Sequence, residues 1–323
     1  MDASHHKRKD KKIMNRMVIS DFMDFKNEVV KNIVSYLPAE YEGAVVELKE
    51  VVKNNDQRLT GIVVKKEDSN IAPNIYLEGF FRDHENGKAF EDVMRDIAAL
   101  RVEHEISNID VSYITDYEAC RGKVVPRLVN ADMNEELLSE RPHRIIEDLA
   151  VIYALDMNEG MSIPISEQMM GAWGMDEEKL HTDAIENLPR ILPAKLSSIG
   201  EVLRAMMPLD EFSEMRAEMF PVDDTFYVLS NKRNVYGAAA LLDKNMMNEI
   251  IEKLGEGFFI LPSSVHEVLI IPDKNCIQVK DLKNMVREVN ATTVSEEDKL
   301  SDSIYRYSAE NGLARVEVNE RVA

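Results

Sequence analysis

The sequence predicts a protein of the α+β class, with mixed and antiparallel sheets flanked by helices. Several segments repeat apolar residues every three or four positions, the spacing that forms one face of a helix. Other segments are short, apolar and bounded by turn residues, which is typical of strands in hairpins. No repeat of fixed period is present, so solenoids and propellers are excluded. The chain has 323 residues, a length that suits two domains or one large domain with appendages.

The N-terminal part combines helices with a small antiparallel sheet. Phe22, Phe25 and Val29 share one helix face, and Pro38 ends that helix. The segment Asn54–Gln57 is rich in residues that favour turns, so the strands on either side of it form a hairpin. The predicted elements are a helix over 20–36, strands over 44–52, 59–65 and 74–81, and a helix over 88–104.

The C-terminal part alternates strands and helices. Residues 149–155 are apolar on both faces, as in a central strand that is covered on both sides. Asp176 and Asp243 are suitable helix N-caps, and Gly255 ends the second of these helices. The predicted elements are strands over 124–129, 149–155 and 162–165, helices over 166–172, 177–188 and 196–207, a hairpin of 226–230 with 235–242, a helix over 244–254, strands over 258–261 and 265–271, and a helix over 279–290.

These elements suggest a division of the chain into five parts. They are a basic disordered tail over 1–16, an N-terminal α+β domain over 17–110, a connecting region over 111–147, a C-terminal α+β domain over 148–295 and a polar extension over 296–323.

The excess of acidic residues limits the possible partners. The sequence holds 59 Asp and Glu against 39 Lys and Arg, a net charge of −20. A surface of this sign repels nucleic acid and anionic lipid, so we expect a protein partner, no membrane contact, and nucleic acid only through the basic tail. No apolar run is long enough for a membrane span, and Ile13–Arg16 interrupts the run that a signal peptide needs. We therefore expect a cytoplasmic protein.

Motifs for metals, cofactors and familiar catalytic mechanisms are absent from the sequence. Cys120 and Cys276 lack the spacing of a zinc site or a disulfide framework. No glycine-rich phosphate loop, nucleophile elbow or zinc-binding helix motif occurs. We therefore predict no cofactor and no metal, and an enzyme is the less favoured class.

One string nevertheless brings a hydroxyl, an imidazole and a carboxylate together, at residues 262–268. In a functional site, His266 would act as a general base or a metal ligand, assisted by Glu267 or Ser263. In a hydrolase, Asn231 would lie at the same end of the sheet. The structural alternative is a turn capped by serines, with His266 hydrogen-bonded at a sheet edge. Neighbouring side chains of a strand point to opposite faces, so His266 would lie with Val268 and not with Glu267.

Several strings also resemble an uncharacterised bacterial family of unknown function that occurs in Firmicutes. The resemblance covers about 20–310, and residues 144–275 distantly resemble a second uncharacterised Firmicutes family. It implies a bacterial cytoplasmic protein and no known activity, cofactor or site residue. The strings are Asn74–Glu78, Arg141–His143, Asp148–Tyr153, Trp173–Met175, Ala184–Leu188, Tyr227–Asn231, Tyr236–Ala239 and Leu261–Val268.

The leading functional hypothesis is a non-enzymatic interaction or regulatory module that binds another macromolecule. It rests on the missing catalytic motifs and on the negative charge. The alternatives are an acidic decoy of a nucleic-acid-binding protein, a hydrolase with a site around His266, and a small-molecule sensor with a pocket between two domains.

Overall fold

The computed structural model describes residues 19, 21–69, 72–105, 112–157, 161–206, 226–255, 257–273 and 278–316. It confirms the α+β class, with helices beside antiparallel sheets. The predicted basic tail and Cys276 lie outside the described residues. The chain divides into two compact units, the first of Met1–Val51 with Leu59–Ile109 and the second of Val52–Arg58 with Asp110–Ala323.

The first unit packs helices on a three-stranded sheet in the order β1-β2-β3. Its elements are α1 (Phe22–Asn32), β1 (Val45–Val52), β2 (Arg58–Lys65), β3 (Asn74–Tyr76), α2 (Glu78–Glu85) and α3 (Phe90–Glu103). Phe25 and Val29 of α1 are fully buried, as their spacing predicted. The predicted strand over 74–81 is wrong beyond Tyr76. There α2 begins, and the Phe81 ring lies 5.3 Å from the ring of Phe25, so tertiary packing overrides β propensity.

The second unit contains a four-stranded sheet with β4 (Val124–Asn130), β5 (His143–Ile146), β6 (Leu149–Asp156) and β7 (Ser162–Pro164). The order is β4-β6-β5, and β7 also pairs with β6. Every residue of β6 is buried, which confirms the predicted central strand. Arg127 of β4, an edge strand of this sheet, lies opposite Ile152 of the central strand β6. The residues of the predicted connecting region thus supply β4 and β5.

A six-stranded antiparallel sheet completes the second unit, in the order β13-β12-β10-β11-β9-β8. Its strands are β8 (Ala194–Ser198), β9 (Tyr227–Asn231), β10 (Gly257–Leu261), β11 (Val268–Pro272), β12 (Tyr305–Ser308) and β13 (Gly312–Arg315). The helices of this unit are α4 (Tyr117–Cys120), α5 (Glu135–Ser139), α6 (Glu167–Trp173), α7 (Glu177–Ile191), α8 (Ile199–Met206), α9 (Lys244–Leu254) and α10 (Val279–Thr292). The bounds predicted for α9 are confirmed, whereas the helix predicted from 196 begins only at Ile199, because β8 precedes it.

The predicted polar extension contains β12 and β13, which continue the six-stranded sheet beside β10. Its Tyr305 is fully buried. No helix among the described residues is long and apolar enough to cross a membrane. Within the same residues, no group of three or more His, Cys, Asp and Glu side chains is arranged to hold a metal ion.

Asp148 fastens β12 to the turn between β5 and β6. Its buried carboxylate accepts hydrogen bonds from the hydroxyls of Ser301 (2.7 Å), Ser303 (2.9 Å) and Tyr305. Burial raises the pKa of Asp148, but the three hydroxyl donors outweigh it and hold that pKa below the usual value for Asp. This carboxylate is therefore a charge whose partners all come from the chain itself.

Replacing Asp148 with asparagine should lower the free energy of unfolding at pH 7 by about 2–4 kcal/mol, because the amide accepts at one oxygen only and adds unpaired donors. The pKa of Asp148 is lower in the folded state than in the unfolded state, where it is about 3.9. Its carboxylate therefore contributes fully to the free energy of unfolding above about pH 3.9, and this contribution is lost as the pH falls through the folded-state pKa. The difference between wild type and Asp148→Asn should therefore shrink in acid. Urea unfolding across this pH range measures it.

The control is Asp132→Asn at an exposed carboxylate, which should change the stability by less than about 0.5 kcal/mol. Equal stability of the two variants at pH 7 would show that the three hydroxyls do not hold Asp148.

Candidate functional site

His266 lies in a bend before β11, not on the strand predicted over 265–271. The hydroxyl of Ser264 accepts the backbone N–H of His266 at 3.0 Å, and the hydroxyl of Ser230 donates to the His266 carbonyl at 2.7 Å. Backbone groups that bond to side chains are not available for a strand ladder, so β11 begins only at Val268. The expected alignment of His266 with Val268 on one strand face is therefore wrong.

Both ring nitrogens of His266 are used by the fold. The backbone N–H of Tyr236 donates to Nδ1 at 3.1 Å, so Nδ1 carries no proton. The proton of the neutral ring then lies on Nε2, which donates to Asp298 Oδ1 at 3.0 Å. The hydroxyl of Ser295 donates to the other oxygen of Asp298 at 2.8 Å. His266 thus joins Tyr236 to the segment before β12.

The other residues predicted for the hydrolase site form no side-chain hydrogen bond to the His266 ring among the described residues. Ser263 accepts the backbone N–H of Leu300 at its carbonyl, at 3.2 Å, and Glu267 is exposed. The carboxylate at the imidazole belongs to Asp298, a residue that the sequence did not indicate. Asn231 is buried at the end of β9, where it shapes the loop that follows.

That loop, residues 231–236, is fixed by the Asn231 side chain from within. Its oxygen accepts the backbone N–H of Arg233 at 2.9 Å, and its amide donates to the Val235 carbonyl at 2.7 Å. Asn234 and Tyr236 have left-handed backbones, with φ of 54° and 51°. Left-handed tyrosine is uncommon and persists only where the surrounding contacts impose it, here through the bond to His266.

The residues after the loop form a short 3-10 helix, Gly237–Leu242, where the sequence predicted a strand. Gly237 passes so close to its neighbours that an ideal Cβ would lie 2.1 Å from the Ser230 hydroxyl and 2.4 Å from the His266 carbonyl oxygen. The alanines that follow are buried against β9 and β4. Small residues are needed here for close packing, and the strand prediction is wrong.

The loop presents two side chains to the four-stranded sheet. Arg233 pairs with Asp156 of β6 at 2.8 Å. The ring of Tyr236 lies 3.8 Å from the guanidinium carbon of Arg127 on β4. We call Arg127, Arg141, Ser162 and Tyr236, with the Arg233–Asp156 pair beside them, the arginine site.

Arg127 and Arg141 are half-buried, and neither has an ion pair to a carboxylate in the described part of the chain. Arg127 donates from Nη2 to the Ser162 hydroxyl at 2.5 Å, while its buried Nε has no acceptor among the described residues. Arg141, two residues before β5, makes no side-chain hydrogen bond to any residue that the structure describes. Guanidinium groups carry five donors, so most donors of this pair are unused.

Burial makes both charges costly. Burial lowers the pKa of Arg127, and the nearby Tyr236 and Asp156 side chains offset this only in part. Burial and then the charge of Arg127 lower the pKa of Arg141. Arginine does not lose its proton in proteins, so the lowered pKa expresses a free-energy cost of the charged pair and not a neutral form.

The contacts that Arg127 makes recover only part of that cost. A guanidinium over a tyrosine ring contributes about 0.5–2 kcal/mol, and one charge-assisted hydrogen bond about 1.5–3 kcal/mol. Removing each ion from water costs several kcal/mol, and Arg141 has neither contact among the described residues. The arrangement therefore suits an acceptor with negative charge that comes from outside the chain.

The sequence did contain a signal for this site. Arg127 interrupts an otherwise apolar run, Val124–Val129, and a charged residue inside a buried strand needs a reason. Arg141 had no such signal, because its nearness to Arg127 depends on β5 and β4 both pairing with β6. The signals in the sequence therefore pointed to His266 and Asn231, which hold the loop, and not to the arginines that the loop faces.

Comparison with known proteins finds one family. A family model described as a family of unknown function, DUF5688, matches residues 22–309. The resemblance predicted over about 20–310 is thereby confirmed, while the bacterial origin that it implied stays a prediction. No curated protein and no solved structure matches the chain.

Replacing Gly237 with alanine should lower the free energy of unfolding by about 2–3 kcal/mol, because the new methyl group overlaps Ser230 and the His266 carbonyl. The matched control is Gly171→Ala in α6, where an added Cβ meets nothing within 4 Å and a gain of about 0.5–1 kcal/mol is expected. Urea unfolding compares the two. If Gly237→Ala is as stable as wild type, the close packing beneath the loop is not present.

Proposed function

The chain belongs to DUF5688, a family of unknown function, and we propose that it is a binding module that takes an anionic ligand at the arginine site. The observation that carries this proposal is the pair of half-buried arginines, Arg127 and Arg141, without a described carboxylate partner. An anion would supply both the missing charge and the missing acceptors.

The contacts of His266 favour binding over the hydrolase alternative. A general base needs a ring nitrogen free to take a proton from substrate or water. Here Nδ1 accepts the Tyr236 N–H and Nε2 donates to Asp298, so both are engaged. His266 is therefore a residue that positions Tyr236, and Tyr236 in turn lies over Arg127.

This proposal keeps the non-enzymatic class that the sequence predicted. It replaces the predicted macromolecular partner with an anionic ligand. The arginines are half-buried, which suits a small group that enters the site better than a broad macromolecular surface. A protein partner, the acidic decoy and a cytoplasmic location stay predictions. The net charge of −20 opposes anions at long range, so ligand selection has to come from short-range contacts with the arginines.

Replacing Arg141 with methionine should raise the free energy of unfolding by about 1–2 kcal/mol in a low-salt buffer without phosphate, because the variant removes a desolvated charge that lacks a partner. The same variant should lose the stabilisation of roughly 2–3 kcal/mol that saturating phosphate gives to the wild type. Urea unfolding with and without phosphate, at constant ionic strength, measures both effects.

The control is Arg95→Met, whose side chain is 65% exposed and pairs with Asp92. It should leave the phosphate effect unchanged, which separates binding at the site from a general salt effect. A loss of stability in Arg141→Met together with an unchanged phosphate effect would contradict the proposed function.

A further inference from the structure

We infer that the ligand of the arginine site is the doubly charged phosphate group of a small phosphate monoester. This inference rests on the proposed function and specifies its ligand. Three arginines and one aspartate carry the charges of the arginine site. Arg233 is paired with Asp156 at 2.8 Å, and the side chain of Asp156 is only 11% exposed. That pair is neutral together, so Arg127 and Arg141 leave two positive charges without an ion pair among the described residues, and the Glu140 carboxylate acts on Arg141 without pairing with it.

A ligand with one negative charge would leave one of these guanidiniums uncompensated. Uncompensated charge in a desolvated position is the costly state, and it is avoided only when the opposite charges match in number. Carboxylate monoanions and phosphate diesters carry one charge each. A phosphate monoester above its second pKa carries close to two, so it matches Arg127 and Arg141.

The hydrogen-bonding groups of the site point to the same ligand. Arg127 and Arg141 have donors only. The Ser162 hydroxyl accepts the bond from Arg127, and its own proton is then free for a further acceptor. The site therefore presents hydrogen-bond donors, and a ligand has to supply the acceptors. A dianionic phosphate carries three acceptor oxygens and no donor, and arginine binds such oxygens in pairs.

Charge also decides where the phosphate comes from. A nucleic-acid backbone consists of diesters with one charge each, and it would have to approach a protein of net charge −20. The half-buried position of Arg127 and Arg141 suits the terminal group of a small molecule better than the backbone of a polymer. A phosphorylated side chain of a partner protein has the same terminal chemistry, and the experiment has to distinguish it.

The test compares methyl phosphate with dimethyl phosphate, which differ by one methyl group and by one negative charge. Isothermal titration calorimetry at about pH 8, above the second pKa of the monoester, should show the monoester binding at least tenfold more tightly than the diester. Arg141→Met should abolish this preference, and Arg95→Met should keep it. If Arg141→Met folds poorly, Arg127→Lys serves as the second variant and should weaken monoester binding, since lysine has no planar fork.

Each outcome has a separate meaning. Two outcomes would overturn the dianion inference and leave the proposed function standing. The first is equal affinity for the two esters, and the second is tighter binding of acetate than of methyl phosphate. In either case the binding has to be lost in Arg141→Met. Absence of any anion binding that depends on Arg127 or Arg141 would overturn both. A phosphoserine peptide that binds at least tenfold more tightly than methyl phosphate would contradict a small-molecule ligand.

Discussion

The guanidinium of Arg127 in the second unit is a half-buried charge, and the contacts around it recover only part of the cost of its burial. The Tyr236 ring lies 3.8 Å from the guanidinium carbon, and the Ser162 hydroxyl accepts a hydrogen bond from Nη2. The Nε of Arg127 has no acceptor among the described residues. Arg141 adds a second desolvated charge beside it. Tyr236 reaches Arg127 only with a left-handed backbone, which the bond to His266 fixes. The 231–236 loop, the close packing beneath it and the His266–Asp298 pair therefore all maintain one positively charged position.

The second unit also contains a buried charge, the Asp148 carboxylate, whose hydrogen-bond partners belong to the chain itself. Asp148 receives hydroxyl donors from Ser301, Ser303 and Tyr305, and its pKa stays below the usual value in spite of burial. Such a group is explained by stability alone, because the chain satisfies it. Arg127 and Arg141 differ in that their charge and most of their donors remain unmatched among the described residues. This contrast, and not exposure or residue type, is the reason to assign ligand binding to the arginines.

Local signals in the sequence predicted much of the fold and little of the site. The apolar run of β6 and the capped α9, between Asp243 and Gly255, are set by neighbouring residues, and both predictions are confirmed. β5, β8, β12 and β13 have four or five residues each, too few for periodicity to reveal them. β8 and β12 also pair with strands distant in the sequence, β9 and β10. His266 and Asn231 stood out by residue type, but their role in holding the loop depends on Tyr236 and Asp298, which only the tertiary structure brings to them.

The most direct test of an externally supplied anion is nuclear magnetic resonance of the arginine Nε–Hε groups during a titration with phosphate. The Nε–Hε signal of Arg127 should shift and saturate, because this donor gains a charged acceptor in its surroundings. The signal of Arg101 is the internal reference, since its Nε already donates to the Val64 carbonyl at 2.8 Å in the first unit and should not move. A stationary Arg127 signal at saturating phosphate, or equal shifts of both arginines, would contradict the account.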